Sequence, residues 1–408
     1  MEKAIAGKAR RAAKAATAKK ACAACGCAKT EVFYQQKGVP VHSVLLMETR
    51  EEAVNFRRGD ISLVFCERCG FISNAAYDPS LQRYSPRCEE SQGFSQTFSD
   101  FSRTLAEGLV RRYGLQKKEI MEIGCGKGEF LNLLCELGEN TGVGFDPAYA
   151  AGWGSRQGDR VRFVSDFYSD KYAELSADLI VCKMTLEHVG RPAELLSAIL
   201  SSAGKRPGSA LFFQVPDTTR VLYELAFWDI YYEHCSYYTA YSLRSLLRRS
   251  GFVVTDMKKD YDGQYIICEA RPGDGSMTEN PPEARQELES LKFAVRYFTE
   301  NNAQKIAIWK KKLKDFRTTG YRTVLWGSGS KAAAFLKTLG ITDEVGFVVD
   351  INPYRQGTFV AGTGHEIVGP SFLKDYKPDA VIAMNPVYRD EIRLELARLS
   401  IEPVLITL

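Results

Sequence analysis

The chain predicts an α/β protein. A Rossmann-like core lies between a small cysteine-stapled N-terminal module and a second, C-terminal Rossmann-like α/β unit. Three observations carry this reading. Residues 119–130 read EIMEIGCGKGEF, and Gly144-Phe-Asp-Pro147 begins sixteen residues after Gly128. Two copies of Cys-x2-Cys-Gly, at Cys22/Cys25 and Cys66/Cys69, precede that core and stand forty residues apart. A second strand and glycine turn, Thr323-Val-Leu-Trp-Gly-Ser-Gly329, opens the last segment.

Residues 1–20 hold seven Lys/Arg and one Glu, so this tail carries the whole positive excess and the rest of the chain is at −2. A mobile solvated tail is expected, with a transit peptide as the minor reading. The remaining body has no charge excess that would attract nucleic acid. At 408 residues two or three domains are expected. Hydrophobic content of 45% and charge of 25% describe a soluble globular protein. No apolar run is long enough to span a bilayer. The eleven cysteines are scattered through strands and turns, so reduced thiols and a cytoplasmic setting are expected.

Four cysteines have a separate explanation. Each Cys-x2-Cys pair can place two thiolates on one ion, and Cys22, Cys25, Cys66 and Cys69 together complete a tetrahedral zinc site. The glycine after each pair relieves the turn. Four thiolates leave no open position, so this zinc is structural. Cys27 competes with Cys25, but the matched knuckles favour Cys25. Ordinary reduced core cysteines and an iron–sulfur cluster are the competing readings. His42, between the pairs, stays unassigned.

In the core, Ile120, Met121 and Ile123 form a short strand. Gly124, Gly126 and Gly128 form a turn whose backbone a ligand can approach closely. Phe130, Leu131, Leu133 and Leu134 resume at helical spacing. The next strand, Thr141–Phe145, ends in Asp146, a carboxylate placed to accept hydrogen bonds from ribose hydroxyls. An adenosine-containing cofactor fits this pattern. A nicotinamide-binding domain, or a Rossmann-like domain that has lost its ligand, shares it. Helical sequence at Phe94–Tyr113 leads into this core. A further strand at Ala210–Val215 and a last pair near Gly251–Met257 and Tyr265–Ala270 complete it. Arg271–Gly275 and Pro281-Pro282 mark a break. Residues Glu283–Thr318 then read as one long helix, with Leu288, Leu291, Val295 and Phe298 on one face. The domains expected are therefore a basic tail at 1–20, a zinc-binding module at 21–85, the core at 86–275, a helical connection at 276–320 and the C-terminal unit at 321–408. That last unit, with Asp350 after its second strand, either binds a nucleotide or phosphate or serves as a scaffold.

The form Glu122-Ile-Gly-Cys-Gly-Lys-Gly128 resembles motif I of class I S-adenosylmethionine (SAM) methyltransferases. Val164-Ser-Asp166-Phe167 resembles their adenine-side acid and aromatic. The strand Ala177–Lys183 running into Met184-Thr-Leu-Glu-His188 has their layout too. The resemblance implies SAM as cofactor, held by Glu122, Gly124, Gly126, Gly128, Asp146, Asp166, Phe167 and Met184.

Two of the four histidines sit beside acids after core strands. They are His188, and His234 in the aromatic stretch Phe227–Tyr238. A histidine there can remove a proton at neutral pH, oriented by a carboxylate or phenol; a satisfied structural histidine is the bland alternative. Residues 20–408 as a whole resemble the sugar C-methyltransferases of deoxysugar biosynthesis, which methylate C-3 of a nucleotide-linked 4-keto sugar. The likeness rests on the two knuckles, Gly38-Val-Pro40, the core, Asp229-Ile-Tyr-Tyr-Glu-His234 with Ser236-Tyr-Tyr238, Trp326-Gly-Ser-Gly-Ser-Lys331, Val349-Asp-Ile-Asn-Pro353, Arg355-Gln-Gly357 and Asp379. It implies His234 as base, supported by Tyr231 and Glu233, with His188 and Tyr84 near the sugar and the C-terminal domain holding the nucleotide. The substrate expected is thus a small molecule, a nucleotide sugar. Cys88–Ser95 and Thr185–His188 depart from that family and mark a divergent branch. An O- or N-methyltransferase, or a non-catalytic zinc-stabilised binding protein, are the alternatives.

Overall fold

The computed structural model describes residues 21–150, 158–273 and 283–408. The basic tail and the Pro281-Pro282 break lie outside them. The N-terminal module is a short antiparallel sheet of β1 (Thr30–Pro40), β2 (Arg58–Cys66) and β3 (Ile72–Asn74). Each Cys-x2-Cys-Gly turn closes in the same way. Gly26 N–H donates to Cys22 O and Gly70 N–H to Cys66 O, both at 2.8 Å. Both glycines have positive φ, +70° and +68°, which a side chain rarely adopts.

The core sheet contains β4 (Glu119–Ile123), β5 (Thr141–Phe145), β6 (Val161–Val164), β7 (Leu179–Lys183) and β8 (Ala210–Pro216). After β9 (Ser236–Tyr237) it is completed by β10 (Phe252–Asp260) and β11 (Tyr265–Pro272). The order is β10-β11-β8-β7-β4-β5-β6, all parallel except β11. The winding reverses at β4, so a crevice opens at the carboxyl ends of β4, β5 and β7. The apolar strands are buried on both faces, as parallel strands covered by helices require.

The last unit repeats the design with β12 (Thr323–Trp326), β13 (Phe347–Val349), β14 (Ile367–Val368), β15 (Ala380–Ala383) and β16 (Val404–Thr407). Its all-parallel order is β14-β13-β12-β15-β16.

The three units are interlocked. Strand β9 leaves the core to pair with β3, so it forms the fourth strand of the N-terminal sheet. The helix Glu283–Thr318 does more than connect. Phe298 is fully buried and meets Phe33 and Tyr34 of β1 edge-on, at 6.1 and 5.8 Å. One apolar cluster runs from Ile61 and Phe65 through Phe227 and Trp228 to Phe298, Phe335 and Leu336. Glu89 adds a polar joint. It pairs with Lys127 of the glycine turn at 2.5 Å and accepts from Asn352 at 3.1 Å, while its carbonyl accepts from Arg355.

Candidate active site

The glycine turn sits at the end of β4, where Gly124, Gly126 and Gly128 have φ of +72°, +52° and +77°. Their surroundings differ. A Cβ on Gly124 would lie 2.1 Å from Thr185 Oγ1, and one on Gly128 would lie 2.3 Å from the Phe163 ring. These two glycines allow close packing of the protein on itself. A Cβ on Gly126 would meet only Glu90 Oε1, at 3.2 Å, so this position faces the crevice. Gly126 N–H donates to Asp146 Oδ2 at 2.9 Å, and Ala148 N–H donates to Oδ1 at 2.8 Å. Glu122 is buried, one carboxylate oxygen has no partner, and burial pushes its carboxyl up to about 8. Met184 holds a positive φ of 52°, a strained backbone for a non-glycine residue. An open Gly126 and an orphaned Glu122 oxygen fit a polar cofactor laid on this turn.

Asp166 is held by Lys171 and Tyr172, at 2.8 and 2.7 Å, and these partners hold its carboxyl down to about 2. Phe167 is 60% exposed, with its ring 5.6 Å from that of Tyr84. Tyr84 also meets His42 edge-on at 6.4 Å, so it stands between the zinc module and the cofactor side. His42 is a satisfied buried residue whose Nε2 accepts from Arg83 N–H at 3.1 Å.

The segment after β8 distributes its side chains among all three units. Tyr232 is fully buried under Gly59, and its hydroxyl bonds both Asp78 N–H and O. Glu233 turns toward the zinc module and accepts from Ser43 N–H and Oγ, the latter at 2.7 Å. It does not bond the ring of His234. Ser43 Oγ in turn bonds Ser330 Oγ at 2.7 Å, at the start of the C-terminal unit's first helix. The next residue, Lys331, pairs with Asp229 at 2.6 Å.

His234 is 5% exposed. Its ring lies 4.2 Å from that of Tyr231 and 4.9 Å from that of His188. Burial lowers its pKa well below the ordinary value, and His188 adds to this, so the ring is neutral near pH 7. His188 Nδ1 lies 3.0 Å from Glu233 O. A carbonyl only accepts, so Nδ1 carries the proton and Nε2 keeps its lone pair. Burial drives His188 down to about 4. The structure thus brings His234, Tyr231 and His188 together and holds Glu233 by its carboxylate elsewhere. Sequence reading gave no site role to Ser43, Glu89, Glu90 or Lys331. Their contacts join segments far apart in the chain, and no local spacing signals them.

The four knuckle sulfurs converge. Cys22 and Cys69 Sγ are 3.7 Å apart, Cys25 and Cys66 Sγ are 3.6 Å apart, and all four lie within 4.8 Å of one another. Tetrahedral zinc with Zn–S near 2.3 Å requires sulfurs roughly 3.8 Å apart. The cluster could hold that ion, and Cys27 stands outside it.

Residues 95–256 match a family model for a methyltransferase domain, and residues 279–402 match one for the C-methyltransferase C-terminal domain. The C-methyltransferase NovU of Streptomyces niveus is 25% identical over 348 residues, which is 81% of each chain. Similar solved structures include the 1,6-didemethyltoxoflavin-N1-methyltransferase of Burkholderia thailandensis (19% identity, 44% of this chain and 82% of that one, TM-score 0.35). Another is the magnesium protoporphyrin IX methyltransferase of Synechocystis PCC 6803 (19% identity, 43% and 83%, TM-score 0.34). The core sheet, the glycine turn and the matched core domain define a SAM-dependent methyltransferase. Its last segment matches the C-methyltransferase C-terminal domain, and the chain is similar to the C-methyltransferase NovU along most of its length.

Proposed function

We propose that the enzyme methylates the carbon beside a ketone, and that its acceptor is a nucleotide-linked keto sugar. The observation that carries this is His234, a neutral, buried imidazole packed on Tyr231 and His188. A neutral imidazole can take a proton from the carbon beside a carbonyl, and that carbon then becomes the nucleophile. Bound on the glycine turn, SAM supplies an electrophilic methyl group. Gly126, Asp146 and Glu122 would hold its polar groups, while Asp166, Phe167 and Met184 line the adenine side. Tyr84, between His42 and Phe167, would position the sugar. Burying both carbons in one closed site brings them together, which supplies much of the acceleration such a reaction needs. The zinc site stays structural in this reading. The nucleotide would lie toward the C-terminal unit, which reaches the His234 segment through Ser330 and Lys331.

The test is incubation with methyl-labelled SAM and a set of nucleoside-diphosphate 4-keto sugars, with the methyl located by NMR. A new C–C bond beside the ketone is expected. A methyl on oxygen or nitrogen would replace C-methylation with the O- or N-transfer reading.

A further inference from the structure

Glu187 is the buried acid that the reaction above leaves unused. It is 1% exposed, and neither carboxylate oxygen has a hydrogen-bond partner among the described residues. Such a group is costly to bury without a role, because its desolvation is uncompensated. It lies at the carboxyl end of β7, in the short helical turn Leu186–His188. One Glu187 oxygen, one His188 nitrogen and one His234 nitrogen all lie within 4.8 Å of one another. His234 makes no hydrogen bond of its own among the described residues, whereas His188 is fixed through Nδ1. An acid with no hydrogen bond and an imidazole with none thus stand within 4.8 Å of each other, close enough for a small shift to join them.

We propose that Glu187 is a positioning residue that receives the proton His234 removes from the acceptor. The inference rests on His234 being the base. The C–H bond beside the ketone breaks, its electron pair enters the enolate and its proton goes to His234. The imidazolium gives a proton to the Glu187 carboxylate, which becomes a neutral acid. The enolate carbon's pair then forms the new bond to the transferred methyl, and the S–C bond breaks with its pair left on sulfur. Storing the proton on Glu187 leaves a neutral imidazole and a neutral acid in a dry site, where an imidazolium would be costly.

The groups facing Glu187 shape this exchange. Cys182 and Lys183 come from β7, His188 from its own turn, Glu90 from the segment entering the core, Tyr231, His234, Cys235 and Tyr238 from the β9 segment, and Tyr265 from β11. Lys183 is the cation among them, and its Nζ sits over the Phe98 and Phe130 rings at 5.5 and 5.2 Å. Burial outweighs it and pushes the Glu187 carboxyl up to about 8, near the range in which a proton is readily exchanged. The carboxyl must be ionised to accept, so turnover rises as pH climbs through that value.

The test is histidine-selective 15N NMR of the full zinc-loaded chain with S-adenosylhomocysteine, with His234 assigned by its loss in H234Q. In the wild type the His234 ring signals should show a step between about pH 6 and 9, because the two groups titrate as a pair. In E187Q the step should vanish, while E187D should keep a displaced one. With a nucleoside-diphosphate 4-keto sugar as probe, E187Q should lower kcat more than 10-fold, leave KM for SAM unchanged and flatten the rise with pH. A wild-type ring with no step overturns the proposal even if E187Q does not fold. An inactive H234A beside an E187Q of normal pH profile overturns it and leaves the base assignment standing. A second equivalent of bound metal that is lost in E187Q overturns it in favour of an ion at this cluster.

Discussion

At the scale of single residues, the site separates groups that face a ligand from groups that hold the fold. His234→Ala should bind S-adenosylhomocysteine like the wild type, read by calorimetry, yet lose at least about 100-fold in kcat, the usual contribution of a positioned base. Near wild-type turnover would remove it from the chemistry. The three motif glycines should also behave differently. Gly126→Ala adds a methyl only toward Glu90, so beyond the backbone strain of its +52° φ the distinguishing loss should be cofactor affinity. Gly124→Ala drives the same methyl into Thr185 at a φ of +72°, so the main loss should be thermal stability without any ligand. Thermal shifts with and without S-adenosylhomocysteine distinguish the two. Unchanged cofactor affinity in Gly126→Ala would mean that this position does not face the cofactor.

At the scale of elements, the zinc knuckles hold more than their own module. Strand β3 lies directly after the second knuckle and pairs with β9, the strand that follows His234. Cys66→Ser should therefore lose metal and stability together and lower turnover as well, because the edge that anchors the base segment is loosened. Metal analysis, urea unfolding and kcat on one preparation check this; a metal-free variant of wild-type stability would contradict it. The elements themselves were largely legible from sequence. The long helix falls at Glu283–Thr318 as its periodicity predicts, and β4, β5 and β12 follow their apolar runs and glycine turns. Such signals are local, so a single sequence carries them. The pairing of Ser236-Tyr237 with Ile72-Ser73 was not legible. Two short strands far apart in sequence have no periodicity that names a partner, and only the assembled core selects it. For the same reason adjacency in sequence suggests Glu233 as a support for His234, whereas tertiary packing gives its carboxylate to Ser43.

At the scale of the molecule, a shared core and several buried acids set the response to pH. Glu122 and Glu187 are almost wholly buried, and burial raises each carboxyl to about 8. Their unfolded values lie near 4.3, so the folded state binds more protons between those limits. Their contribution is complete below the unfolded value and is lost as pH rises through about 8. The buried histidines act oppositely. His188 and His365 are driven down to about 4 by burial, so they cost stability as pH falls below the ordinary histidine value near 6.5. The midpoint of thermal unfolding of the zinc-loaded, cofactor-free protein should therefore fall between about pH 7.5 and 8.5, above the titration of unfolded histidine, where these carboxyls still change. A midpoint that rises across that window would show that these acids are ionised in the folded chain.

The β3–β9 pairing has a further consequence during synthesis. The ribosome releases β3 long before β9, with about 160 residues between them. At ~5–20 residues per second, the N-terminal sheet waits roughly 10–30 s with one edge unpaired. An open edge invites pairing with other chains. The newborn protein thus passes through an interval of vulnerability whose length is set by translation speed, and slow codons between the two strands would prolong it.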